Sequence, residues 1–148
     1  MTGGLDRRTF IAATGAAALA AALDACGGSD TRPPSDWHRV GRLDEFATDS
    51  YAQRDVQTVA DAGELGRRSA YVRRGRAGEA QTVAFAARCP HQGCPTRFVP
   101  ASRKFVCPCH GAVFGFAGRV EGGPASRPME RWDSAVHDGV VYLAPLPG

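Results

Sequence analysis

The chain predicts an all-β domain, on three observations. In Gln81-Thr82-Val83-Ala84-Phe85-Ala86-Ala87, the residues Val83, Phe85 and Ala87 share one face, which is the period-two pattern of a strand. Asp138-Gly139 separates the run Trp132 to Val136 from Val140 to Leu143, which is a hairpin signal. No long amphipathic helix and no internal repeat is present. Asp44 to Phe46 and Asp61 to Leu65 reach short helical turns at most.

Residues 1–25 read as an export signal. A basic start at Arg7-Arg8 is followed by a small-residue apolar run to Ala22 and then by Leu23-Asp24-Ala25-Cys26. The apolar stretch is too short to span a membrane on its own. Arg7-Arg8-Thr9-Phe10 resembles the twin-arginine pattern R-R-x-F, and Leu23 to Cys26 resembles a lipobox, in which Cys26 is lipidated. A plain signal peptide or an uncleaved anchor is the alternative. Residues 26–36, rich in Gly, Ser, Asp and Pro, form a flexible tether without apolar periodicity. The globular part spans residues 37–148.

With 148 residues and 43% hydrophobic content, the chain supports one ordinary domain plus a tail. A net charge of +3 gives no argument for nucleic acid. Arg67-Arg68 and Arg73-Arg74 lack interleaved aromatics and read as solvated strand ends and turns.

The chemistry lies in two short blocks, Cys89-Pro90-His91-Gln92-Gly93-Cys94 and Cys107-Pro108-Cys109-His110-Gly111. Each offers cysteine and histidine within one tight loop, so together they can hold a metal with two thiolates and two imidazoles. That donor set suits redox iron or zinc. His38 and His137 lie outside both blocks and read as a strand and a turn residue.

The pairs C-x-H and C-x-x-H resemble the two boxes of Rieske proteins, over about residues 80 to 128. The resemblance implies an antiparallel β sandwich with an inserted cluster-binding subdomain, about residues 88–125. It also implies one 2Fe-2S cluster ligated by Cys89, His91, Cys107 and His110. Cys94 and Cys109 match the disulfide of the cytochrome bc and b6f branch. Gly93 and Gly111 sit beside ligands, where backbone N–H groups can approach sulfur. Gly122-Gly123-Pro124-Ala125 resembles the loop that covers the cluster, with Pro124 at its centre.

Three tuning positions depart from the bc pattern. Gln92 stands where quinol-oxidising members carry Leu, Ala112 where high-potential members carry Ser, and Phe114 where they carry Tyr. The reading is therefore an exported one-electron carrier on the extracytoplasmic face of a bacterial membrane, held there by an N-terminal lipid or anchor. Its redox partners are cytochrome b or c types, with a quinol as donor. A small electron-transfer subunit for another extracytoplasmic oxidoreductase, such as a molybdenum enzyme, is the alternative. Oxidoreductase activity is expected only together with such a partner. A complete Rieske oxygenase would need a separate iron triad, for which the chain is too short.

Overall fold

A computed structural model describes residue 33, residues 35–59 and residues 65–145, with backbone alone for 57–59 and 65–67. The export signal with Arg7, Arg8 and Cys26, nearly all of the tether, and residues 60–64 lie outside the described residues. Among the described residues, no helix is long and apolar enough to cross a membrane.

Among the described residues, eleven strands form three antiparallel sheets. The first sheet pairs β1 (His38–Arg42) with β11 (Val140–Leu143), which in turn pairs with β10 (Ser134–His137). The second sheet has the order β2 (Ala52–Val59), β3 (Leu65–Arg74), β4 (Thr82–Ala86) and β9 (Arg131–Trp132). The third is inserted between β4 and β9 and has the order β5 (Arg97–Val99), β6 (Lys104–Val106), β7 (Val113–Phe114) and β8 (Val120–Gly122). A single 3-10 turn, Leu43–Glu45, is the only helical element among the described residues.

The predicted strand at 81–87 is β4, and its alternation sorts two cores. Val83, Phe85 and Ala87 enter a core with Tyr51, Tyr71, Phe105, Phe114 and the two block cysteines Cys89 and Cys107. Ala84, on the other face, enters a core with Val56, Val72, Trp132, Val141 and Leu143. All five residues of β4 are buried because both faces are covered.

The C-terminal hairpin forms at Asp138-Gly139, whose φ angles of 49° and 71° suit a tight turn of the primed kind. Trp132, however, leaves that hairpin and pairs with Ala84 in the second sheet. The break at Asp133 lets one segment serve two sheets.

Arg73 corrects the expectation of a solvated arginine pair. Its side chain is only 3% exposed, and its two Nη groups donate to Glu79 at 2.6 and 2.8 Å. Its Nε donates to Tyr51 Oη at 3.1 Å. Burial of a guanidinium is tolerated here because its donors are paired. The exposed Arg74 keeps the predicted role.

Candidate metal centre

β4 runs directly into the first block. A bridge between Arg88 and Pro95 closes the neck of that loop. Within it the Cys89 N–H donates to the Cys94 carbonyl at 2.7 Å, and the Gly93 N–H donates to the Cys89 carbonyl at 2.8 Å. The second block, between β6 and β7, repeats the device. The Cys107 N–H donates to Ala112 O at 2.8 Å, and the Gly111 N–H donates to Cys107 O at 3.1 Å.

In both loops the cysteine carbonyl is met by the N–H of a glycine four residues on. These glycines have φ of 74° and 71°, the left-handed region that a residue with a side chain adopts at a cost. That is why Gly93 and Gly111 recur at one place in both blocks.

The four proposed ligands fall into two pairs, Cys89 with Cys107 and His91 with His110. Cys89 and Cys107 carry free thiols and are 2% and 1% exposed. His91 is half-buried and His110 exposed, and their rings lie 5.0 Å apart at an interplanar angle of 89°. Cys94 and Cys109 are disulfide-bonded with Cα atoms 6.6 Å apart, which fastens one loop to the other. The sulfurs of Cys94, Cys107 and Cys109 lie within 4.8 Å of one another. Two of these are committed to the disulfide, so among the three only Cys107 is available as a ligand.

Burial pushes the Cys89 thiol above its ordinary pKa, the neighbouring Cys107 adds to this, and the N–H groups of His91 and Gln92 oppose it. Cys89, withdrawn from water beside Cys107, does not ionise readily on its own. A metal held by Cys89 and Cys107 would supply the missing positive charge.

Behind the loops two of the three tuning positions are closed to solvent. Ala112 and Phe114 are both 0% exposed. Gly122 to Ala125 lies against the second loop. A Cβ built on Gly123 would meet Ala112 Cα at 2.5 Å and Gly111 O at 2.6 Å, so only glycine admits this contact. Pro124 is exposed beside it and Gln92 is exposed on the first loop.

The chain matches the Rieske 2Fe-2S domain over residues 36–134. It belongs to the Rieske 2Fe-2S family.

Two relatives are cytochrome b6-f iron-sulfur subunits. That of Pisum sativum is 44% identical over 66 residues, covering 43% of this chain and 29% of that protein. Subunit 2 of Nostoc sp. is 39% identical over 57 residues, covering 38% and 32%. The match thus spans about a third of each relative's length. The plasma membrane Rieske protein PetC3 from Synechocystis has a TM-score of 0.51 and 27% identity, covering 71% of this chain and 96% of that structure.

Family membership gives the Rieske chain one 2Fe-2S cluster, and the donors present fit it. Two buried thiols stand with two imidazoles at the solvent side, the mixed set that such a cluster requires.

Sequence reasoning missed the supports of this site. Tyr71 Oη donates to the Thr96 carbonyl at 2.6 Å and Tyr51 Oη to the Phe116 carbonyl at 2.9 Å, tying the second sheet to the third. Nothing in the local sequence marks these two tyrosines. A recess of about 540 Å³ beside the first loop, between Arg88 to Gly93 and residues 127–130, was also not legible.

Proposed function

We propose that this chain is a one-electron carrier in which Cys89, His91, Cys107 and His110 hold the cluster, serving as the iron-sulfur component of a cytochrome bc-like, quinol-oxidising chain. The observation that carries this reading is the adjacency of His91 and His110, with their rings 5.0 Å apart at the solvent side of two buried cysteines.

A bound cluster supplies a one-electron couple, with a potential raised by replacing two thiolates with neutral imidazoles. The chain's own residues do the rest. Cys89 and Cys107 keep the sulfur side out of water. His91 and His110 offer the edge at which a partner docks, and an imidazole that ligates through one nitrogen retains a second that can bind or release a proton. The Cys94–Cys109 bridge holds the two loops in register.

The likeness to b6-f subunits supports redox partners within a cytochrome complex, and a quinol donor belongs to the same proposal. The plasma membrane location of the Synechocystis relative supports membrane attachment. In this reading residues 1–25 direct export by the twin-arginine route, Cys26 carries the lipid, and residues 26–36 let the domain swing on the extracytoplasmic face.

A second reading, a carrier for another extracytoplasmic oxidoreductase, is favoured by Gln92, which replaces an apolar docking residue. The two differ in a simple assay: a purified membrane complex that oxidises quinol only when this chain is present supports the first. Copurification with a molybdenum enzyme and no quinol oxidation supports the second.

A further inference from the structure

Three arginines, one from β3 and two from separate turns, converge on one ring. The Cζ atoms of Arg103, Arg76 and Arg73 lie over Phe116 at 4.1, 4.8 and 5.0 Å from its centroid. A phenyl ring has two faces, so at least two of these cations share one. One guanidinium over an aromatic face is favourable, whereas a second beside it adds repulsion between like charges.

The nearby carboxylates are already committed. Glu79 takes both Nη groups of Arg73, and Glu121 pairs with Lys104 at 3.1 Å. Arg76 Nε donates to Thr48 O at 3.2 Å, which orients the group and leaves its Nη donors without an acceptor among the described residues. The Arg103 side chain makes no hydrogen bond or ion pair among the described residues. Arg103 also holds φ at 55°, the left-handed region that favours glycine, in the turn closed by its N–H to the Pro100 carbonyl at 3.1 Å. A strained backbone thus carries an unpaired cation onto a ring already occupied by others, a combination found at ligand clamps.

We propose that Arg76 and Arg103, held on Phe116, form a binding site for a phosphoryl group. The site lies at the β5–β6 turn, the end of that hairpin opposite the two ligand loops, and does not depend on the electron-transfer reading. Forked N–H donors match phosphate oxygens, and the excess of three arginines over the single carboxylate Glu79 favours a phosphoryl anion over chloride. Inorganic phosphate and the headgroup of an anionic phospholipid present the same chemistry.

The test titrates inorganic phosphate into the full-length, cluster-bearing protein against sodium chloride of equal ionic strength, reading calorimetric binding and the unfolding temperature. Saturable binding and a phosphate-specific rise in Tm are expected. Arg103→Gly relieves the turn and keeps the fold, yet should weaken phosphate by about tenfold or more, as should Arg76→Gln. Arg39→Gln, on exposed β1 surface, should leave it unchanged. No effect beyond chloride, or equal affinity in wild type, Arg103→Gly and Arg76→Gln, overturns the proposal.

Flotation with phosphatidylglycerol or pure phosphatidylcholine vesicles then separates the sources. Wild type and Arg103→Gly share the same N-terminal segment. Greater wild-type retention on phosphatidylglycerol therefore assigns the site to lipid headgroups. Equal retention alongside saturable phosphate binding assigns it to free phosphate.

Discussion

At the scale of the residue, we propose that Ala112 and Phe114 tune the cluster through the hydroxyls they lack. Both are fully buried, so neither position receives a hydrogen bond from water in place of the missing hydroxyl. A donor to cluster sulfur stabilises the reduced form more than the oxidised one, because the added electron increases the negative charge on the acceptor. If that difference is about 1 to 2 kcal/mol per donor, each of Ala112→Ser and Phe114→Tyr raises the midpoint potential by about 40 to 85 mV. Voltammetry of each purified variant measures this, and an unchanged potential in both means that backbone donors and burial set it instead. Phe114→Tyr carries an added packing cost of about 1 to 3 kcal/mol, so it should also unfold at lower temperature than Ala112→Ser.

Gly123 is a second residue-scale constraint. With φ at 82° and a would-be Cβ 2.5 Å from the backbone of Ala112, Gly123→Ala must push the covering loop away from the second ligand loop. We expect a loss of about 2 kcal/mol or more in stability together with faster loss of visible cluster absorbance. Retention equal to wild type would show that the loop contributes nothing to holding the cluster.

At the scale of the element, one fastening joins the two ligand loops and another braces the second sheet. One is the Cys94–Cys109 bridge, which closes a span of 15 residues and so constrains the unfolded chain by about 3 kcal/mol. Replacing both cysteines by Ser should weaken cluster retention while leaving the iron and sulfide count of a freshly loaded chain unchanged. The other joins β3 to the turn before β4 through Arg73 and Glu79.

The hydrogen bonds from Arg73 and then from the Arg76 N–H lower the Glu79 pKa from 4.5 to about 2. A carboxylate whose pKa is depressed in the folded state contributes stability that is fully present above about pH 4.5. That contribution is lost as pH falls toward about 2. Glu79 is partly exposed, so solvent screening reduces its size. Wild type should lose stability more steeply than Glu79→Gln across this window in acid denaturation, and parallel curves would contradict the coupling.

Elements whose signals are local were legible in the sequence. β4 and the Asp138-Gly139 hairpin announce themselves by alternation and turn chemistry, and the two blocks by spacing. Long-range choices were not. Trp132 pairs with Ala84 rather than continuing into the hairpin, and Arg73 is buried because Glu79 and Tyr51 meet it only in the folded chain. The third sheet, made of strands two or three residues long, carries too little periodicity to be read.

At the scale of the whole molecule, the proposed attachment and export rest on Arg7, Arg8 and Cys26 of the N-terminal segment. Cys26→Ser should release the protein from membranes with its cluster intact, as read by fractionation and visible absorbance. A variant that stays bound with an uncleaved N-terminus identifies a signal anchor instead. Arg7→Lys with Arg8→Lys should hold the precursor in the cytoplasm, and normal export of that double variant would point to another route.

The most direct test of the account is electron spin resonance, with iron and sulfide analysis, on protein purified from its own membranes. We expect a red-brown protein with two irons and two sulfides per chain. After reduction it should show the rhombic, low-field-shifted signal of a histidine-ligated 2Fe-2S cluster, and that signal should be absent in His91→Ala and His110→Ala. A colourless, spin-silent protein containing zinc would contradict the account.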